Sequence, residues 1–172
     1  MQRIIIEIKA RCGHPEEIRD LLDKQQALFI GIDQQVDTYF NVPQGRLKLR
    51  EGRIENALIH YHRNNQAGPK RSDVLLYLTP VRSSLKEILT RAVGVLATVT
   101  KRRYIYFIDN VKFHIDEVEE LGSFVEVEAI GEGESAQEEV LREQCQYYLN
   151  LFKVQPEDLV EVSYSDMVLM KT

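Results

Sequence analysis

The sequence predicts an α+β protein, mainly antiparallel β, in which eight strands close into a barrel and the helices pack outside it. Three observations carry this. Eight segments alternate apolar and polar residues with a period of two, and most are joined by turns. Apolar residues at helical spacing follow the first, fifth and eighth of these segments. Several strands also carry a face of charges that do not balance locally: Glu126 with Glu128 on one, Arg46 with Lys48 and Arg50 on another. Eight antiparallel strands are enough to close a barrel and remove exposed edges. A single domain over 1–172 is expected, since no linker, repeat or low-complexity tract divides the chain.

The first strand covers 4–10, with Ile4, Ile6 and Ile8 on one face and Glu7 and Lys9 on the other. Gly13-His14-Pro15 breaks it. Pro15 suits the first position of a helix, and Ile18, Leu21, Leu22, Leu28 and Phe29 carry an amphipathic pattern on to Gly31. The second strand is 36–42, with Asp37 and Tyr39 on one face, and 41–45 is a turn around Pro43. The third is 46–50. Glu51-Gly52-Arg53 turns it into the fourth, 54–63, and the fifth, 72–78, ends at Pro80. Ser84 and Glu87 have capping-box spacing and open a helix that runs to Val93 and stops at Gly94. A long strand at 96–108 turns at Asp109-Asn110 into 111–118, and 119–123 leads into 124–130. A helix over 135–152 and a short one within 159–170 complete the order.

Composition narrows the function. The formal charge of −5 makes nucleic acid an unfavourable partner, because general nucleic-acid binders are usually basic. No apolar run has membrane-spanning length, and the N-terminus lacks the pattern of a signal peptide. Cys12 and Cys145 are too few for a disulfide framework and form no metal-type pair, so a reducing cytoplasm is the expected location.

The charged faces suggest where the chemistry lies. Helices with apolar stripes need an apolar surface to cover, so the greasy strand faces are expected outside and the charged ones inside. A lumen lined by Arg and Lys repels itself unless an anion occupies it. Gathered carboxylates repel unless a cation sits among them, and hard oxygen ligands suit Mg²⁺ or Mn²⁺. A metal and a polyphosphate held together would satisfy both faces. Taken alone, Glu126 and Glu128 read as a solvated strand face, and Arg46, Lys48 and Arg50 as a protected edge. Arg102 and Arg103 must face opposite ways, and Arg103 is assigned inward beside Lys101. His60, His62 and His114 have no zinc-type spacing and are not counted as ligands, although His114 shares a face with Asp116. Tyr39 reads first as packing, and Lys70 and Ser72 as residues near a tunnel mouth or in a surface loop.

Taken in order, Ile6-Glu7-Ile8-Lys9, Asp37-Thr38-Tyr39-Phe40, Gly45-Arg46-Leu47-Lys48-Leu49-Arg50, Tyr61-x-Arg63, Lys101-x-Arg103, His114-Ile115-Asp116-Glu117-Val118 and Phe124-Val125-Glu126-Val127-Glu128 resemble the CYTH superfamily. These are the triphosphate tunnel metalloenzymes, among them class IV adenylate cyclases and thiamine triphosphatases. The resemblance implies a closed barrel whose tunnel binds a triphosphate and Mg²⁺ or Mn²⁺. It implies Glu7, Asp116, Glu126 and Glu128 as metal ligands. Lys9, Arg46, Lys48, Arg50, Arg63, Lys101 and Arg103 are implied as phosphate contacts, with an acid/base role for Lys9 and Tyr39. The family's first-strand pattern is Glu-x-Glu-x-Lys, and Ile5 stands where its first Glu belongs. The implied activity is hydrolysis of ATP, thiamine triphosphate or tripolyphosphate. Cyclisation of ATP to cyclic AMP and pyrophosphate is the second reading, and a non-catalytic polyphosphate-binding module the third. A homodimer is expected from the apolar helices and from the family.

Overall fold

Period-two alternation sends each strand's two faces to opposite sides of the sheet, and here the sheet closes on itself. The computed structural model describes residues 2–133 and 137–172. Its strands are β1 (Gln2–Arg11), β2 (Leu28–Phe40), β3 (Arg46–Glu51), β4 (Asn56–Arg63), β5 (Lys70–Leu78), β6 (Val95–Ile108), β7 (Val111–Val118) and β8 (Gly122–Glu132). The helices are α1 (Pro15–Lys24), α2 (Leu85–Val93), α3 (Glu138–Leu151) and α4 (Tyr164–Met170). Around the barrel the order is β1-β5-β4-β3-β2-β6-β7-β8, closed by β8 on β1, with every pair antiparallel.

The outer faces of β1, β7 and β8 are apolar, as expected, and helices cover them. Ile6, Ile8, Phe113, Ile115, Val125 and Val127 pack beneath Ile18 and Leu22 of α1 and Leu141, Cys145, Leu149 and Phe152 of α3. Each fully buried side chain of this kind contributes about 1.5–3 kcal/mol. The Cys145 thiol donates to the Ile6 carbonyl at 3.0 Å, which ties α3 to β1. A second cluster lies inside the barrel and includes Ile5, Tyr39, Ile59, Tyr61, Val74, Phe124 and Tyr164.

Two elements differ from the sequence expectation. The first helix ends at Lys24, and the chain reverses through Gln26 at φ 57°. Leu28 and Phe29, assigned above to that helix, begin β2 instead. Their apolar spacing fits either period. What decides is β6, whose far half pairs with them from Leu28↔Phe107 to Gln35↔Lys101 and would otherwise leave a row of strand hydrogen bonds unmade. The capping box expected at Ser84 does not form, since Ser84 has ψ 5° and no side-chain cap bond. A capping box appears instead at α4, where Ser163 and Asp166 cap each other's backbone N–H. The expected start of the third helix at Ser135 lies outside the described residues.

After α3 the chain makes a 3-10 turn at Pro156–Asp158 and runs across one end of the barrel. Leu159 bridges to Ala10, and the Val160 N–H donates to the Lys9 carbonyl at 2.9 Å. Among the described residues no helix is long and apolar enough to cross a membrane.

Candidate functional site

The lumen is a cavity of about 940 Å³ lined by residues of all eight strands and by Tyr164. Glu7, Lys9, Lys48, Arg50, Lys101, Arg103, Glu126 and Glu128, all singled out from the sequence, line it together. Arg63 reaches the same space through an ion pair with Glu7. Arg103 points inward and Arg102 outward, as their adjacency requires.

Carboxylates of the barrel already relieve part of the lumen's repulsion. Asp37 is fully buried and takes both oxygens to Arg50 at 2.9 Å, with Lys101 at 2.7 Å and Lys48 at 3.7 Å. Burial alone would raise its carboxyl, but Arg50, Lys101 and Lys48 hold it well below the usual range. Asp116 is gripped in the same way by Arg103, two bonds of 2.7 Å, and accepts from the Tyr164 hydroxyl at 2.8 Å. That engagement sets Asp116 apart from the other carboxylates named above as metal ligands. Arg46 also differs from its strand neighbours. It faces α4, bonding Asp166 twice at 2.8 Å and the hydroxyls of Ser163 and Ser165.

The remaining carboxylates lie nearer the lumen's free space. Glu126 stands 3.6 Å from Lys9 and 3.8 Å from Arg103. Directly across the strand pair is His114, with Nδ1 3.5 Å from Glu126 and 3.7 Å from Glu128. Donor atoms of His114, Glu126 and Glu128 all fall within 4.8 Å of one another. The Nε2 of His114 is buried with no hydrogen-bond partner among the described residues. Burial, then Arg103, lowers the imidazole's pKa, which favours the neutral form that ligates metals. Two carboxylates and a neutral imidazole at this spacing fit a divalent cation.

Several lumen residues were not found from the sequence. Glu55 pairs with Lys112 and lies 3.5 Å from Arg50. It is positioned by Asp33, which accepts the backbone N–H groups of Arg53, Ile54 and Glu55 at 2.7, 3.0 and 2.9 Å. Gln35 links the two, donating to Asp33 at 2.8 Å and Glu55 at 2.9 Å. Position 52 must be glycine here, since a Cβ would meet the Asp33 carboxylate at 2.5 Å. Lys112 shares parity with His114 and Asp116, a signal that was available. Glu55 sits in a turn and Tyr164 in the tail, where no period exposes them. The tyrosine over Lys9 is Tyr164, 3.9 Å from Nζ to the ring centre. Tyr39 instead lies near Lys48, and burial, then Asp37, pushes its phenol up to about 12. Lys70 is buried under the tail, donating to the Glu161 carbonyl at 2.9 Å, rather than standing at a mouth.

The lumen is also not polar throughout. Ile5, Ile59, Val74, Leu76 and Ile130 form one wall of it, reaching Leu78 and Ile54 at the open end. Ile5 faces inward beside Ile130 and Ser72, so the family carboxylate missing from the first strand is replaced by part of this wall.

Fold and lumen together define an antiparallel tunnel barrel whose polar chemistry lies inside. The CYTH domain profile matches residues 3–164, and the chain belongs to that family. No curated protein matches it in sequence. Among solved structures it resembles the PH1012 protein of Pyrococcus horikoshii, at 24% identity and TM-score 0.78 over 94% of this chain and 98% of that one. It also resembles a candidate adenylate cyclase of Vibrio parahaemolyticus, at 18% identity and TM-score 0.76 over 96% and 98%. A third is a candidate adenylyl cyclase of Hippeastrum with a dominant triphosphatase activity, at 11% identity and TM-score 0.60 over 98% and 95%. At these identities the likeness concerns the fold.

Proposed function

We propose that this protein is a divalent-metal-dependent phosphohydrolase acting on a triphosphate held in its tunnel. The observation that carries the reading is that Lys9, Lys48, Arg50, Lys101 and Arg103 share one cavity with Glu126 and Glu128, with His114 beside both carboxylates and Arg63 paired to Glu7 of the same lining. Guanidinium groups hold phosphate oxygens by paired hydrogen bonds, and lysines add point charge. Glu126 and Glu128, with His114 beside them, would hold Mg²⁺ or Mn²⁺, and Glu7 lies opposite Glu128 on β1. When bound, the ion neutralises phosphate charge as the P–O bond breaks.

The chain's own residues prepare that step. Glu126 now draws on Lys9 and Arg103. With Glu126 engaged by a cation, Lys9 would be free to turn toward phosphate oxygens, while Arg103 would stay held by Asp116 and present its remaining N–H groups. Tyr39 stays protonated near neutral pH, so it can hydrogen-bond a phosphate oxygen but does not act as a base. Water attacks the terminal phosphorus, and the products are orthophosphate, the shortened phosphate compound and a proton.

Incubation with tripolyphosphate, thiamine triphosphate or ATP, each with Mg²⁺ and Mn²⁺, tests this by identification of the phosphorus products. Orthophosphate release is the expected outcome. Cyclic AMP with pyrophosphate would replace hydrolysis by cyclisation, and no turnover of any triphosphate would leave a binding module. Glu126→Gln is expected to lower turnover by roughly 10²-fold or more while tripolyphosphate binding stays measurable. Unchanged metal-dependent turnover would contradict the assignment.

A further inference from the structure

We infer that the tunnel's substrate is a polyphosphate ester of an aliphatic alcohol, with its hydrocarbon chain lying along the apolar wall opposite the charged one. This rests on the triphosphatase reading for the head group and adds what the rest of the cavity holds.

The wall is joined by packing: Ile5, Ile59 and Val74 belong to one apolar cluster with Leu76 and Ile130 against it, although across β1 and β5 Ile5 stands opposite Ser72 and Val74 opposite Arg3. Ile5 stands opposite Ile130 across β1 and β8, and Ile59 opposite Leu76 across β4 and β5. It then runs outward to Leu78 and Ile54 at the open end, which are 73% and 42% exposed. Val81, just beyond β5, is 68% exposed and extends the apolar lip. Apolar surface inside a cavity that also holds cations and carboxylates is unfavourable when it meets only water, and an occupant with one charged end and one greasy end satisfies both sides.

The mouth is poorly furnished for a nucleobase. Reading a base takes convergent donors and acceptors, and the two side-chain amides that line the mouth are already engaged. Asn56 bonds the Gly52 backbone twice, accepting at 3.2 Å and donating at 2.9 Å. Asn110 donates to the Ile130 carbonyl at 3.1 Å and exchanges two bonds with Gln144 at 3.0 and 2.8 Å. Arg3 and Glu132, 3.8 Å apart, and Phe107 also line the cavity, and beside them the surface from Ile5 to Leu78 is branched aliphatic, which suits a flexible hydrocarbon chain.

The test is metal-free calorimetric titration of the intact protein, so that binding is read without turnover, using tripolyphosphate, methyl triphosphate, hexyl triphosphate and ATP. A fully buried methylene strengthens binding about fourfold. Since the wall covers one side of the chain, the hexyl ester is expected to bind about tenfold or more tighter than the methyl ester. Leu78→Ser and Ile54→Ser, at exposed positions that do not threaten folding, are expected to cut that gain to under about threefold. Tripolyphosphate affinity should be unchanged in both. Equal affinity for the methyl and hexyl esters, or tighter binding of ATP than of the hexyl ester, would overturn the aliphatic assignment and leave the triphosphatase reading standing. If tripolyphosphate binds neither in this titration nor in one repeated with Mg²⁺, the triphosphatase reading falls and this inference falls with it.

Discussion

Asp37 is the residue on which the lumen's charge balance turns. One carboxylate serves Arg50, Lys101 and Lys48, so positive charge is in excess around it. An arginine cannot shed that excess, and it falls on Lys101, which burial and then Arg103 lower to about 7 despite Asp37. A polyphosphate arriving there restores the charged form. Binding at pH 8 is therefore expected to take up a proton, seen calorimetrically as a heat that varies with buffer ionisation, and Lys101→Met should abolish the uptake. Asp37→Asn leaves the three cations uncompensated and is expected to cost about 3–5 kcal/mol in urea melts, recovered in part by added tripolyphosphate. The basic members of this set were legible in the sequence because strand parity puts them on one face. Their partners were less so. His114 was set aside because zinc-type spacing is a rule for local ligand pairs, whereas its contacts with Glu126 and Glu128 arise from pairing between β7 and β8. Arg46 follows the parity of Lys48 and Arg50, yet a helix more than a hundred residues away claims it.

At the scale of elements, α4 illustrates a short helix held mostly by its surroundings. It has seven residues, too few to be stable alone, and is fixed by its capping box, by Tyr164 in the barrel and by the Arg46–Asp166 pair. Asp166→Ala removes both the cap and the pair. It is expected to destabilise the protein by about 1–3 kcal/mol and to speed amide exchange over 164–170 before the rest of the chain. Equal exchange in the two proteins would mean that other contacts hold the helix. The eight strands and their turns were readable because alternation reports directly on a two-sided sheet. The border between α1 and β2 was not, because a run such as Leu28-Phe29-Ile30 satisfies both periods, and only the length of β6 decides between them. The apolar wall escaped notice for a related reason: Ile59 and Val74 alternate as any strand does, and parity alone does not say which face closes inward.

Over the whole molecule, the buried carboxylates make stability depend on acid. In Asp37, Asp116, Glu55 and Glu126 burial opposes ionisation, but neighbouring cations prevail and hold each carboxyl below its ordinary range. A group depressed in the folded state contributes stability that is present above its unfolded pKa and lost as pH falls through the folded one. Lys101 acts in the other sense: lowered in the fold, it makes stability rise between about pH 7 and its unfolded value. Thermal melts are therefore expected to hold up at neutral and mildly alkaline pH and to fall steeply below about pH 4. The segment crossing one end of the barrel has a kinetic consequence as well. With Tyr164 and the tail lying across that end, the described residues leave the end beside Leu78 and Ile54 as the doorway to the tunnel. A ligand that enters phosphate-first puts its terminal phosphate at the back of the queue, and the fragment nearest the door departs before the orthophosphate behind it. First in is last out. Orthophosphate is then expected to compete with substrate in initial-rate measurements, while the longer product inhibits without competing; the reverse pattern would mean that the far end opens during turnover.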